Sequence, residues 1–189
     1  MTHLTESVSY ASMKTKLWKS ENRGPEDMLR IYCRASELNF AKLKAVYRQT
    51  NGLSAEKMYP REEPSLAQFW AEDAFEQYVR EDFFTVPGAI YAVWEEDERY
   101  LSAVRMEPYR DGYLLSSLET TPEFRRMGYG EKLVRAVIEL SEKPVYAHVY
   151  KNNAASLALH QKCGFQQISD FASLLDGTVT QAACTMRFK

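Results

Sequence analysis

Between Leu118 and Gly130 the chain reads Leu-Glu-Thr-Thr-Pro-Glu-Phe-Arg-Arg-Met-Gly-Tyr-Gly, and a helical apolar period follows. An extended segment thus passes through a short proline-marked loop into a helix that opens on Gly128 and Gly130. The first N–H groups of a helix lack intrahelical acceptors and lie at the positive end of its dipole. Neither glycine carries a Cβ, so an anion can approach that backbone closely. Arg125 and Arg126 add two positive charges at the same mouth. The local chemistry is that of a phosphate or pyrophosphate site. A P-loop needs Gly-x-x-x-x-Gly-Lys-Ser/Thr, which does not occur here, and a dinucleotide fingerprint needs Gly or Ala where Leu133 stands. For a lone Gly-x-Gly the competing reading is an amphipathic helix with solvated arginines.

The rest of the chain supplies an α/β frame around that segment. Pro25, followed by Glu26 and Asp27, is a helix start, and a helix is expected from there towards Gln49, ended by Asn51-Gly52. Leu53–Pro64 reads as a loop, and Ser65–Phe84 as a second helix. Strands are expected at Ala89–Trp94, Tyr100–Tyr109 and Tyr113–Thr120, with Asp111-Gly112 as a hairpin turn. Gly128–Ser141 is a helix, Val145–Tyr150 a strand, and Ala154–Lys162 a helix closed by Gly164. Phe165–Leu175 and Thr178–Phe188 form a final hairpin around Asp176-Gly177. The helical crossover lets the strand at Val145 run parallel to its predecessor, so the sheet is mixed.

Size and charge bound the function. At 189 residues the chain suits one domain. Residues 1–88 are read as a mainly helical N-terminal region, and 89–189 as the ligand-binding core with its C-terminal hairpin. Hydrophobic residues at 45% and charged residues at 26% describe an ordinary soluble globular protein. A net charge of −2 lacks the basic field that non-specific nucleic-acid binding requires. Three cysteines make no disulfide framework and fit a reducing compartment. No signal-like start and no apolar run of about 18 residues is visible, so a cytoplasmic protein without a membrane partner is expected.

Two motifs together resemble those of the GNAT superfamily of acyl-CoA-dependent N-acetyltransferases. Pro122-Glu-Phe124-Arg125-Arg-Met-Gly128-Tyr-Gly130 matches the family's Pro-x-aromatic-Arg/Gln-x-x-Gly-x-Gly throughout, and Asn153, Ser156, Leu159 and Gly164-Phe165 match a second motif in phase. The likeness covers roughly 89–189, and the family's first strand is placed at Ser7–Trp18. The resemblance implies a GNAT-like fold, with a mixed central sheet flanked by helices, and acetyl-CoA as acyl donor without a metal. It places the pyrophosphate on backbone amides of Arg125, Arg126, Met127, Gly128, Tyr129 and Gly130. The pantetheine arm would pair with Leu118–Thr120 like an added strand, and Asn153 would bond to it. A backbone N–H near Leu118–Thr120 would polarise the thioester carbonyl. His160 stands where many relatives carry a tyrosine that protonates the leaving thiolate. Glu119, at the presumed bulge, is the first candidate for the base that deprotonates the amine.

The implied reaction is acetyl transfer to the primary amine of a small molecule or peptide by direct attack in a ternary complex. A homodimer is also carried as an expectation, since dimers are common among relatives. A non-catalytic acyl-CoA-binding sensor or interaction module is the alternative, motivated by histidine at position 160, and a longer acyl chain is a third reading. Cys163 with His160 as a thiol nucleophile, and zinc on His148, His160 and Cys163, rank lower, because the spacing supports neither. His148 and Tyr150 either line the acceptor cleft or flank the core, and Trp18, Tyr47, Tyr59, Trp70, Phe83 and Phe84 are candidates to line an acceptor pocket, most of them better explained as core.

Overall fold

The computed structural model describes residues 28–189, and the strand expected at Ser7–Trp18 lies outside them. Strand β1 (Met28–Tyr32) pairs antiparallel with β2 (Ile90–Glu96). Helix α1 (Phe40–Met58) begins at Asn39, whose Oδ1 accepts the Lys42 N–H at 3.1 Å. Its buried residues Phe40, Leu43, Val46, Tyr47, Asn51 and Ala55 recur at helical spacing.

These elements correct the expected helix from Pro25 to Gln49 and the expected loop at Leu53–Pro64. Leu29 and Ile31 pack into the core as a strand does, so the helix starts at residue 40. It then runs through Asn51-Gly52, because tertiary burial of Asn51 and Ala55 outweighs a glycine's cost of about 1 kcal/mol. Helix α2 (Pro64–Gln77) is capped by Glu63, which accepts the N–H groups of Ser65 at 3.0 Å and Leu66 at 3.2 Å. A wider turn over Tyr78–Asp82 and a tighter one over Phe83–Thr85 complete the second helical stretch.

The meander β2, β3 (Arg99–Tyr109) and β4 (Gly112–Thr120) follows as the sequence indicates. Helix α3 (Tyr129–Leu140) then crosses to β5 (Val145–Tyr150), which lies parallel to β4. Helix α4 (Ala154–Lys162) leads to β6 (Gln166–Ser169). The expected last hairpin divides in two. Short strands β7 (Ala172–Ser173) and β8 (Val179–Thr180) pair around the Asp176-Gly177 turn, while β6 pairs with β9 (Ala183–Phe188). Among the described residues the main sheet has seven strands in the order β1-β2-β3-β4-β5-β9-β6, with β4–β5 its parallel pair.

Side chains alternate between the two faces of this sheet. Ala92 joins Leu133, Val134, Val137 and Ile138 of α3 on one side. Tyr91 and Val93 join Leu43, Val46 and Tyr47 of α1 on the other. Two apolar layers thus hold α1 and α3 on opposite faces of β3 and β4. No helix among the described residues is long and apolar enough to cross a membrane.

Leu43 is fully buried between α1 and the sheet. Leu43→Ala is expected to cost about 2–5 kcal/mol, read in urea titration as a lower midpoint with an unchanged slope.

Candidate active site

The sheet opens at β4. Pairing with β5 covers only Tyr113–Leu115 against Val145–Ala147. Beyond that point β5 continues against β9, and β4 continues against β3. The β3–β4 register shifts between Ala103 and Arg105, opposite Ser117, which takes a left-handed φ of 51°. An extra residue at such a bulge bends the strand and increases its twist. The segment from Ser116 to Thr120 therefore diverges from β5 with one backbone edge towards the gap.

Helix α3 points its N-terminus at the end of this segment. The first intrahelical bond runs from the Lys132 N–H to the Gly128 carbonyl at 2.9 Å, and no side chain caps the end. The amides of Gly130 and Glu131 precede that bond and have no intrahelical acceptor. Gly128 is exposed with a φ of 86°, a conformation that a side chain would strain. A Cβ on Gly130 would lie 3.2 Å from Thr120 Oγ1 and 3.4 Å from Leu159 Cδ1. The α3 tip, the β4 end and α4 thus converge on one backbone position where a side chain would press on Thr120 and Leu159.

Of the residues expected at a cofactor site, Leu118, Thr120 and Arg125 through Gly130 are contiguous around this wedge. Leu118 packs on the core and Thr120 Oγ1 lies 3.2 Å from Ser102 Oγ. Met127 is exposed, and the Tyr129 hydroxyl donates to Glu96 at 2.9 Å. Arg125 turns away from the helix tip. Its Nε donates to the Thr120 carbonyl at 3.2 Å, and its guanidinium reaches Glu119 Oε2 at 3.4 Å and Gln49 Oε1. Arg126 is exposed beside it. Asn153 caps α4, its Oδ1 accepting the Ser156 N–H at 3.0 Å.

Glu119 faces the opposite side of β4. Its Oε1 accepts from Thr50 Oγ1 at 2.7 Å, and it borders a cleft of about 410 Å³ between α1, α2 and the sheet. Tyr47, Thr50, Asn51, Phe75, Tyr78, Arg105 and Ser117 share that wall. The Tyr47 hydroxyl donates to the Ser117 carbonyl at 2.7 Å, tying α1 to the bulge. Burial holds the Tyr47 pKa above the ordinary tyrosine value, so the phenol stays a donor. Sequence reasoning missed Thr50, Asn51 and Arg105 as site residues. A charge between Val104 and Met106 in a buried strand was the available signal for Arg105.

His160 is buried, with its ring edge-on to Phe165 at 5.1 Å between centroids. Its Nδ1 lies 2.8 Å from the Ser156 carbonyl, which only accepts, so Nδ1 carries the proton. Nε2 is buried without a partner, and burial pushes the pKa below the ordinary histidine value against that hydrogen bond. The resting side chain is therefore a neutral imidazole whose N–H is committed. The acid role expected of it requires an imidazolium, which this environment disfavours. Cys163 is buried and its thiol pKa is raised by burial, so it presents no thiolate nucleophile. His148 packs edge-on to Tyr109 and Tyr150 is exposed, and neither borders the cleft. Among the described residues, no group of three or more His, Cys, Asp or Glu side chains gathers as a metal site.

The model of the acetyltransferase (GNAT) family matches residues 54–165, more than half of the chain. Comparison with curated proteins finds no match. Among solved structures, the PaiA N-acetyltransferase of Thermoplasma acidophilum in complex with coenzyme A superposes with a TM-score of 0.57 at 13% identity, over 86% of this chain and 99% of that one. The Campylobacter jejuni N-acetyltransferase PseH in complex with acetyl coenzyme A gives 0.56 at 15% identity, over 86% and 99%. The ribosomal-protein-S18-alanine N-acetyltransferase of Escherichia coli gives 0.50 at 19% identity, over 85% and 93%. At these identities the likeness establishes a shared fold.

Neutral burial of His160 has a thermodynamic consequence. Its folded pKa lies below the unfolded value of about 6.5, so below that pH the unfolded chain binds more protons and stability falls with acidification. His148, whose pKa is lowered by burial and by Arg110, adds in the same direction. Urea unfolding from pH 7.5 down to 5.5 is expected to show this loss, and His160→Gln to flatten it. An unchanged slope in the variant contradicts the assignment.

Proposed function

This chain belongs to the GNAT acetyltransferase family, and we propose that it transfers an acetyl group from acetyl-CoA to the primary amine of a small molecule by direct attack within a ternary complex. The carrying observation is that one strand end serves two spaces. The backbone of Ser116–Thr120 borders the gap opened by β5, while Glu119 borders the cleft beneath α1 and α2. Acetyl-CoA, when bound, supplies an activated acetyl group as a thioester.

The pyrophosphate is assigned to the α3 tip, where the open backbone at Gly128–Glu131 and the helix dipole favour anions. The pantetheine arm is assigned to the side of Leu118–Thr120 that faces the gap, where an extended partner can add to the strand. The side-chain amide of Asn153, which caps α4, is assigned to bond that arm. A donor on the bulged backbone near Leu118–Thr120 is assigned to the thioester carbonyl, where developing negative charge is stabilised. Glu119, accepting from Thr50 and paired with Arg125, takes the proton that the amine must lose. We assign His160 to packing behind α4, and draw the proton for the departing sulfur from the amine by way of Glu119 or solvent. All three cysteines are free, which suits the reducing cytoplasm as its location.

Calorimetry with CoA and thiol release with an amine panel test these roles. Gly128→Val is expected to weaken CoA at least tenfold. Gly177→Val, which strains a φ of 84° in the distant hairpin, leaves the affinity unchanged. Glu119→Gln should lower kcat by roughly 100-fold or more with CoA affinity intact. His160→Gln should keep kcat within about threefold, and a drop matching the Glu119 variant would restore its acid role. Absence of CoA binding by the unaltered protein overturns the reading altogether.

A further inference from the structure

The cleft beneath α1 and α2 carries one cation and one carboxylate, and both come from the sheet. Arg105 projects from β3 and Glu119 from β4, among mainly apolar and hydroxyl neighbours. Glu119 already has Thr50 and Arg125 as partners. Arg105 is differently placed. Its Nη2 donates to Ser117 Oγ, and its Cζ lies 5.0 Å from the Tyr78 ring centroid and 5.7 Å from that of Phe83. None of the ion pairs among the described residues includes it. Its Nε is buried with no acceptor, and so is Nδ2 of Asn51, which is 5% exposed on the same wall. Two donors without acceptors, one on a guanidinium with no carboxylate partner, are costly in a folded interior. Aromatic faces offset only part of that cost. The two donors call for an acceptor, and an anion matches the charge of the guanidinium.

The placement of the two charges on one wall points to the kind of anion. Glu119 pairs with Ala103, and Arg105 lies two residues further along β3. The two side chains thus leave neighbouring strands on the same face and border one cleft, so a ligand that carries an amine beside a carboxylate can meet both. Met58, Ala71, Ala74 and Phe75 supply an apolar wall beside the charged pair. A cleft of about 410 Å³ lies in the range of small-molecule sites, about 300–1,000 Å³.

We infer that the acceptor is a free α-amino acid with an apolar side chain. Its carboxylate is held by Arg105, its amino group faces Glu119, and its side chain lies against Met58 and Phe75. This identification rests on the transfer reading above and adds the substrate class. A peptide N-terminus offers an amide where this cleft calls for a carboxylate, and a simple alkylamine leaves Arg105 unpaired.

The test uses the full chain with acetyl-CoA and measures thiol release. L-phenylalanine, L-methionine and L-leucine are compared with L-phenylalanine amide and 2-phenylethylamine. Free amino acids are expected to exceed the amide and the amine by roughly 100-fold or more in kcat/KM, since a buried charge-assisted contact is lost without the carboxylate. Arg105→Met should reduce that advantage to within about threefold, and Arg105→Lys should retain part of it. CoA calorimetry on both variants verifies that each is folded with its cofactor site intact. Equal rates for phenylalanine and 2-phenylethylamine, or an advantage that survives Arg105→Met, overturn the amino-acid assignment and leave acetyl transfer standing. Thiol release from none of the compounds overturns the amino-acid assignment, and CoA calorimetry on the unaltered protein then decides the transfer reading separately.

Discussion

The parting of β4 from β5 is the constraint on which the site depends. Three residue pairs hold the strands together, and the bulge at Ser117 then turns β4 aside. A parallel pair continued to Thr120 would close the sheet and spend the β4 edge on β5. Divergence leaves that edge facing a gap within a layered core, where backbone groups call for a partner. The bulge is held from the α1 side by the Tyr47 hydroxyl on the Ser117 carbonyl, and from β3 by Ser102 Oγ on the Glu119 carbonyl at 2.7 Å. These side-chain bonds occupy carbonyls that an undisturbed ladder would have used.

Electrostatics divides the labour between the two sides of β4. On the gap side α3 starts without a side-chain capping bond, its first amides preceding its first intrahelical bond. On the cleft side a carboxylate and a guanidinium stand two ladder positions apart. Arg125 joins the two sides, since it lies in the loop to α3 yet directs its side chain to Glu119. A cation in the fingerprint segment thus supports the proposed base rather than the proposed phosphate site, a division that residue order does not reveal.

What was legible in the sequence was local. The turn at Asp111-Gly112, the alternation of β2 to β4 and the glycine-opened helix at Gly128 each follow from neighbouring residues, and each stands where expected. The first half was less legible because its boundaries are tertiary. Helix α1 begins at Asn39 rather than near Pro25, and it survives Asn51-Gly52 because α2 covers that stretch. The family motifs singled out the α3 tip and the β4 end, which the fold sets against each other. They did not mark the cleft, since Thr50, Asn51 and Arg105 are far apart in the chain and meet only when α1 lies across β3 and β4. The neutrality of His160 was hidden for the same reason. A motif position records which residue stands there, whereas its protonation depends on burial and on the Ser156 carbonyl.

Hydrogen exchange of single backbone amides, with and without saturating CoA, addresses the wedge itself. The account predicts that CoA slows exchange by at least tenfold at Leu118–Thr120 and at Gly130 and Glu131, and leaves the hairpin of β7 and β8 unaffected. Unchanged exchange at the β4 end and the α3 tip while CoA binds would contradict it.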